Sequence, residues 1–148
     1  ALEFSVVPGI PALAGAAALL GAPLTHDFAC VSLSDLLTPW ETIETRLDLA
    51  ARADFVLVIY NPRSKKRSGH LEQALEIVGR WRGPDTPVGV VRQAYRPGQQ
   101  AVVTTLAAFD PRGVDMLTLV VVGNAASRVV SGRLLTPRGY EAKYRLSG

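Results

Sequence analysis

Phe55-Val56-Leu57-Val58-Ile59-Tyr60-Asn61-Pro62-Arg63 is the stretch whose reading decides the fold. Six apolar residues run without alternation and stop at Asn61-Pro62. An unbroken run of this kind, closed by a turn dipeptide, is a strand covered on both faces, as in the middle of an α/β sheet. Helical spacing recurs on both sides of it, over Glu41–Ala53 and Leu71–Arg82. A helix–strand–helix order predicts a layered α/β domain with a mixed, mostly parallel central sheet flanked by helices. Ligands bind such sheets beyond the carboxyl ends of the strands. A site is therefore expected at Tyr60-Asn61-Pro62-Arg63.

Composition narrows the classes. The chain has 148 residues, enough for one domain with a real core. At 48% hydrophobic and 20% charged it is not of the disordered class. Its apolar runs fall short of the roughly 18 residues that suggest a membrane-spanning helix. A single cysteine, Cys30, excludes an internal disulfide and fits a reducing compartment, so a cytoplasmic protein is expected. The net charge is +3, and 13 of the 16 basic residues are arginine. Arginine suits bidentate recognition of carboxylates or phosphates, although a merely basic surface fits the charge equally well. Aromatic residues make up 7% of the chain, thin for a platform that stacks single-stranded nucleic acid. Neither nucleic acid nor a membrane is an expected partner.

From the start, Ala1-Leu2-Glu3-Phe4 has no initiator Met and reads as the interior of something longer. Leu2–Val7 alternates like a short strand and runs into Pro8-Gly9-Ile10-Pro11. The Ala-rich segment Ala12–Leu20 is a helix, with Pro11 at its first position and Gly21 at its end. A strand, a glycine turn and a helix N-terminus make a place for an anionic or acceptor group, or simply a tight turn that docks the helix. The spacing is not that of a dinucleotide fingerprint. Phe28–Leu33 reads as a strand. Thr38-Pro39-Trp40-Glu41 has the pattern of a capping box, with Ile43, Leu47, Leu49 and Ala50 as the apolar stripe behind it. His26, Asp27 and Cys30 match no ligand spacing, and no metal is expected.

Beyond the central strand, Arg63-Ser64-Lys65-Lys66-Arg67-Ser68-Gly69-His70 is strongly cationic. It is either a solvated loop or a cover for an acidic ligand above the strand tip. Pro87–Arg92 is a further buried strand. The loop Arg96-Pro97-Gly98-Gln99 turns it into Ala101–Leu106, which predicts an antiparallel pair. Met116–Val122 is the last apolar strand. Ala125–Gly132 reads as a short helix or loop, and Arg133–Pro137 carries no strong pattern. No nucleophile elbow, phosphate loop, paired-cysteine site or zinc helix is present in the sequence. The residues alone therefore reach an α/β domain that binds a small polar or anionic ligand at its strand tips.

Several linked motifs reach further. Val7-Pro8-Gly9-Ile10-Pro11-Ala12 and Gly21-Ala22-Pro23-Leu24-Thr25-His26-Asp27 resemble, in order and spacing, the tetrapyrrole methylases. Ser32-Leu33-Ser34-Asp35-Leu36-Leu37-Thr38-Pro39-Trp40, Tyr60-Asn61-Pro62-Arg63-Ser64, Val122-Gly123-Asn124 and Thr136-Pro137-Arg138-Gly139-Tyr140 narrow the resemblance to the precorrin-3B C17-methyltransferases. It implies S-adenosyl-L-methionine as cofactor. It also implies methyl transfer to C17 of a corrin precursor, with ring contraction, in cobalamin biosynthesis. A cobalt-precorrin or uroporphyrinogen methylase is the near alternative, and a non-catalytic basic binding domain the distant one.

The family fold has two domains, and this chain resembles the second. The implied division is residues 1–10 as a linker strand, 11–140 as the C-terminal α/β domain and 141–148 as a tail, with the N-terminal domain absent. Partners implied are the tetrapyrrole substrate, that missing domain, and a second copy in a homodimer. The resemblance carries cofactor contacts onto Pro11, Ala12, Tyr60, Asn61 and Ala94. Many relatives have Thr where Pro11 stands, so a contact there is limited to packing or the carbonyl. The substrate's carboxylates are matched with Arg63, Arg92 and the Lys65-Lys66-Arg67 run. His26 and Asp27 are candidates for substrate binding, and His26, Asp27 and Asp35 are candidates, on their chemistry alone, for the proton transfers of ring contraction. No residue is assigned as catalytic.

Overall fold

The computed structural model describes residues 2–64 and 69–140. Its elements are α1 (Ala12–Leu20), β1 (Gly21–Ala22), β2 (Phe28–Ser32), α2 (Trp40–Arg52), β3 (Val56–Tyr60), α3 (His70–Gly79), β4 (Pro87–Arg92), β5 (Gln100–Thr105), a 3-10 turn (Pro111–Gly113), β6 (Thr118–Val122), β7 (Arg128–Val130) and β8 (Arg133–Leu135).

Five strands form the main sheet in the order β2-β3-β6-β4-β5. The sheet is mixed, and β2, β3 and β4 point the same way. Only the β2–β3 pairing is parallel, because β6 inserts antiparallel between β3 and β4. The hairpin expected across Arg96–Gln99 is present as the antiparallel β4–β5 pair.

β3 shows why its sequence lacks alternation. Leu57 and Ile59 pack into a core built with α2 and α3, while Val56 and Val58 pack into a second core under α1. Both faces are apolar because both are covered. β6 follows the same rule, and all five of its residues are buried. α2 buries Ile43, Leu47 and Ala51, and α3 buries Leu71, Ala74, Ile77 and Val78. Leu49, expected in the stripe of α2, is 56% exposed, because the 43-47-51 spacing turns it outward.

Both prolines expected at a first helical position sit one residue earlier. Pro11 and Pro39 are N-caps with extended backbone, and neither offers a side-chain cap. Thr38 therefore does not cap α2. The expected linker strand over residues 1–10 forms no strand among the described residues: Leu2, Phe4, Val6 and Val7 are all more than four-fifths exposed. Conversely, Ala125–Gly132 and Arg133–Pro137 contain β7 and β8. These join β1 in a small second sheet of order β1-β8-β7 beside α1. The Lys65-Lys66-Arg67 run and the 141–148 tail lie outside the described residues.

Among the described residues no helix is long and apolar enough to cross a membrane, and no cluster of His, Cys, Asp or Glu is placed to hold a metal.

Candidate functional site

At one pole of the main sheet the ends of β3 and β4 meet the start of β6. Here a cleft of about 930 Å³ opens between α1, the tip of β3, the β4–β5 turn and the segment before β6. Pro11, Ala12, Tyr60, Asn61 and Ala94 all line it.

Each wall has a local cause. On the α1 side Ala14, Gly15 and Ala18 keep the surface low, so a ligand can come close to the helix. The Leu13 N–H, an orphan donor of the first helical turn, donates to the Tyr60 phenol oxygen at 3.0 Å. This bond fixes the helix start against the end of β3. Burial raises the Tyr60 phenol above its ordinary value, and the Leu13 bond works against that shift. Asn61 holds a left-handed φ of 49°, and its amide donates to Ser32 Oγ at 2.9 Å. Gln93 (φ 50°) and Tyr95 (φ 57°) flank Ala94 on the third wall. Three of the five non-glycine residues with positive φ among those described thus stand on one cleft. Backbone held in that sparse region is overdetermined by its surroundings and gathers at functional sites.

The other candidates fall elsewhere. His26 and Asp27 are at the opposite pole, where the Asp27 carbonyl accepts the Val56 N–H at the start of β3. One strand length separates them from Tyr60, roughly 16 Å at about 3.3 Å per residue. His26 Nδ1 accepts the Asp27 N–H at 2.7 Å. They line a shallow depression with Asp54, Asn124 and Arg138, so three of the family-like motifs converge there rather than at the cleft. Asp35 lies three residues past β2. Its carboxylate is 3.7 Å from His70 Nε2, and the His70 ring stacks on Trp40 with centroids 4.2 Å apart.

Arg63 and Arg92 are both held by carboxylates. Arg63 Nη1 donates to Glu72 and to the Pro111 carbonyl, each at 3.0 Å. Arg92 Nε donates to Asp115 Oδ2 at 2.8 Å, and its Nη1 to Gln93 Oε1 at 3.0 Å. Burial pushes the Asp115 carboxyl up, but hydrogen bonds from Thr118, Arg92 and Leu117 outweigh it and leave it below the ordinary carboxylate value. The sequence reading missed Gly15, Gln93, Tyr95, Met116 and Leu117 as cleft residues. Gln93 and Tyr95 directly flank Ala94, so the loop could have been read as a unit.

A family model described as Tetrapyrrole (Corrin/Porphyrin) Methylases matches residues 1–110. The chain belongs to the tetrapyrrole methylases.

Among these methylases, a Salmonella typhimurium protein named probable cobalt-factor III C(17)-methyltransferase is 50% identical over 94% of this chain and 58% of its own length. A Sinorhizobium protein named precorrin-3B C(17)-methyltransferase is 41% identical over 94% of this chain and 57% of its own. In the solved structure of the methyltransferase CobJ, the match has a TM-score of 0.85 at 44% identity. It covers 91% of this chain and 56% of that one. The chain thus spans well under two thirds of each of these tetrapyrrole methylases.

Proposed function

We propose that this chain supplies the methyl-donor side of an S-adenosylmethionine-dependent methyltransferase that acts at C17 of a corrin precursor. One observation carries the reading. The residues that the resemblance marks for the cofactor, Pro11, Ala12, Tyr60, Asn61 and Ala94, come from three separate stretches and line a single cleft. The names of the relatives supply the reaction.

The lining suits the ligand's chemistry. Met116, Leu117 and the small residues of α1 offer apolar area for a flat purine. Asn61, Gln93 and the backbone around Ala94 offer polar groups for the ribose and amino-acid ends. The bound cofactor supplies an already activated methyl group. The protein's part is alignment and exclusion of water. Tyr60 serves alignment by anchoring α1, and Asn61 by holding its left-handed turn against Ser32. The remaining length of the longer relatives would supply the facing wall, and the homodimer implied by the resemblance belongs to the same reading.

Calorimetric titration of S-adenosylhomocysteine into this chain, and into the full-length polypeptide that carries it, tests the proposal. Binding by the full-length protein is expected. No binding by either form overturns the reading. Light scattering checks the dimer.

A further inference from the structure

We propose that Arg92 is a positioning residue for the methyl-donor site, fixing the wall that carries Ala94 rather than meeting a substrate carboxylate. The inference rests on the cofactor reading above.

The loop after β4 is held in an uncommon shape. Gln93, Tyr95 and Gly98 all have left-handed φ, at 50°, 57° and 82°. A run with so many positive φ values does not persist by itself and needs outside bonds to specify it. Those bonds are present. The Gln93 N–H donates to the Leu117 carbonyl at 3.0 Å, and the Tyr95 N–H to the Gln99 side-chain oxygen at 2.7 Å. Gly98 is pressed so close that a Cβ there would stand 2.7 Å from Gln93 Oε1.

Arg92 ties this loop to the neighbouring stretch of cleft wall before β6. Its Nη1 holds Gln93 and its Nε holds Asp115. Asp115 in turn accepts from the Leu117 N–H at 3.0 Å and from the Thr118 hydroxyl at 2.7 Å. Gln93, Leu117 and Thr118 all line the cleft. A planar fork with two fixed donors fixes how these two neighbouring segments sit against each other in a way that a lysine's single point charge does not. With Nε and Nη1 engaged inside the protein, the guanidinium reads as a strut.

The test compares wild type, Arg92→Met, Arg92→Lys and Gln93→Leu in the full-length protein. Readouts are thermal midpoint, affinity for S-adenosylhomocysteine, and KM and kcat for methyl transfer. Arg92→Met and Gln93→Leu are expected to weaken binding and raise the cofactor KM on the order of tenfold, with kcat within about twofold. Arg92→Lys keeps the charge but not the two-donor fork and is expected to recover only part of the loss. A folded Arg92→Met protein with wild-type affinity overturns the inference. If Arg92→Met does not fold, wild-type affinity in Gln93→Leu overturns it. An effect on the substrate's KM alone also overturns it, since that assigns Arg92 to the substrate. Failure of the wild-type protein itself to bind S-adenosylhomocysteine removes the cofactor reading and this inference together.

Discussion

Leu20 Cδ1 stands 2.5 Å from the point where a Cβ on Gly89 would lie. Leu20 is the last residue of α1 and is fully buried, so the helix rests directly on the backbone of β4. We expect Gly89→Ala to destabilise the fold by about 1–3 kcal/mol through overpacking. The double change Gly89→Ala/Leu20→Ala should cost less than the sum of the single changes, because the two act on one contact. Urea denaturation of the three variants checks both statements, and simple additivity would disprove the contact.

Arg82 is an arginine buried among carbonyls. It donates to Ala51, Phe55 and Gly123 oxygens at 2.7 to 3.2 Å, and its Nη1 lies 3.1 Å from Asp54. Arg82→Met would leave three buried carbonyls and the Asp54 carboxylate without this partner. A loss of about 3 kcal/mol or more is expected, with Arg82→Lys recovering only part of it. A loss below about 0.5 kcal/mol in chemical denaturation would count against the clamp.

Asn61 holds φ at 49° on the cleft rim. Asn61→Gly relieves the backbone but removes the amide that bonds Ser32. Stability should change by less than about 1 kcal/mol, since the two effects oppose each other. S-adenosylhomocysteine affinity should fall on the order of tenfold, because the cleft loses a polar group and its fixed turn. Unchanged affinity would take Asn61 out of the site.

Hydrogen bonds from the Arg112 side chain and backbone hold the Asp110 carboxyl down at about 2. A depressed carboxylate stabilises the fold above its unfolded value, near 3.9, and loses that contribution as pH falls through about 2. Both partners are exposed, so the effect on stability is small, but the titration itself is measurable. Carbon-detected NMR should show Asp110 titrating below the ordinary range in the wild type and returning to it in Arg112→Ala. A wild-type midpoint near 4 would refute the pairing.

The sequence made some of this plain and hid the rest for physical reasons. Val56–Tyr60 was readable because a strand covered on both faces has no polar side to interrupt it. The position of β6 was not readable, since an antiparallel insertion between β3 and β4 leaves the same apolar run as a parallel one. Gly21-Ala22, Arg128–Val130 and Arg133–Leu135 are too short for periodicity to register, and Arg128–Val130 is exposed throughout. Leu2–Val7 alternates like a strand but pairs with no strand among the described residues. In the site, the family motifs indicated Tyr60 and Asn61. His26 and Asp27 directly precede the strand read over Phe28–Leu33, so their place at the amino end of the sheet was legible, and grouping them with the substrate site overrode it. The arginine content suggested free cations at Arg63 and Arg92, while their carboxylate partners Glu72 and Asp115 lie at distances in sequence that no local pattern connects.

The central place of β6 bears on how the chain comes to be made. Two of the five main strands, β3 and β4, leave the ribosome long before Thr118–Val122 and have no direct pairing with each other. Until Thr118–Val122 emerges, β2–β3 and β4–β5 are two separate half-sheets, each with an open edge. The nascent chain therefore passes through an interval in which both edges are free to pair wrongly, and it closes only when one late strand fits between them. A polypeptide halted just before Thr118 should accordingly remain protease-sensitive, while one extended past Val122 should acquire resistance in a single step.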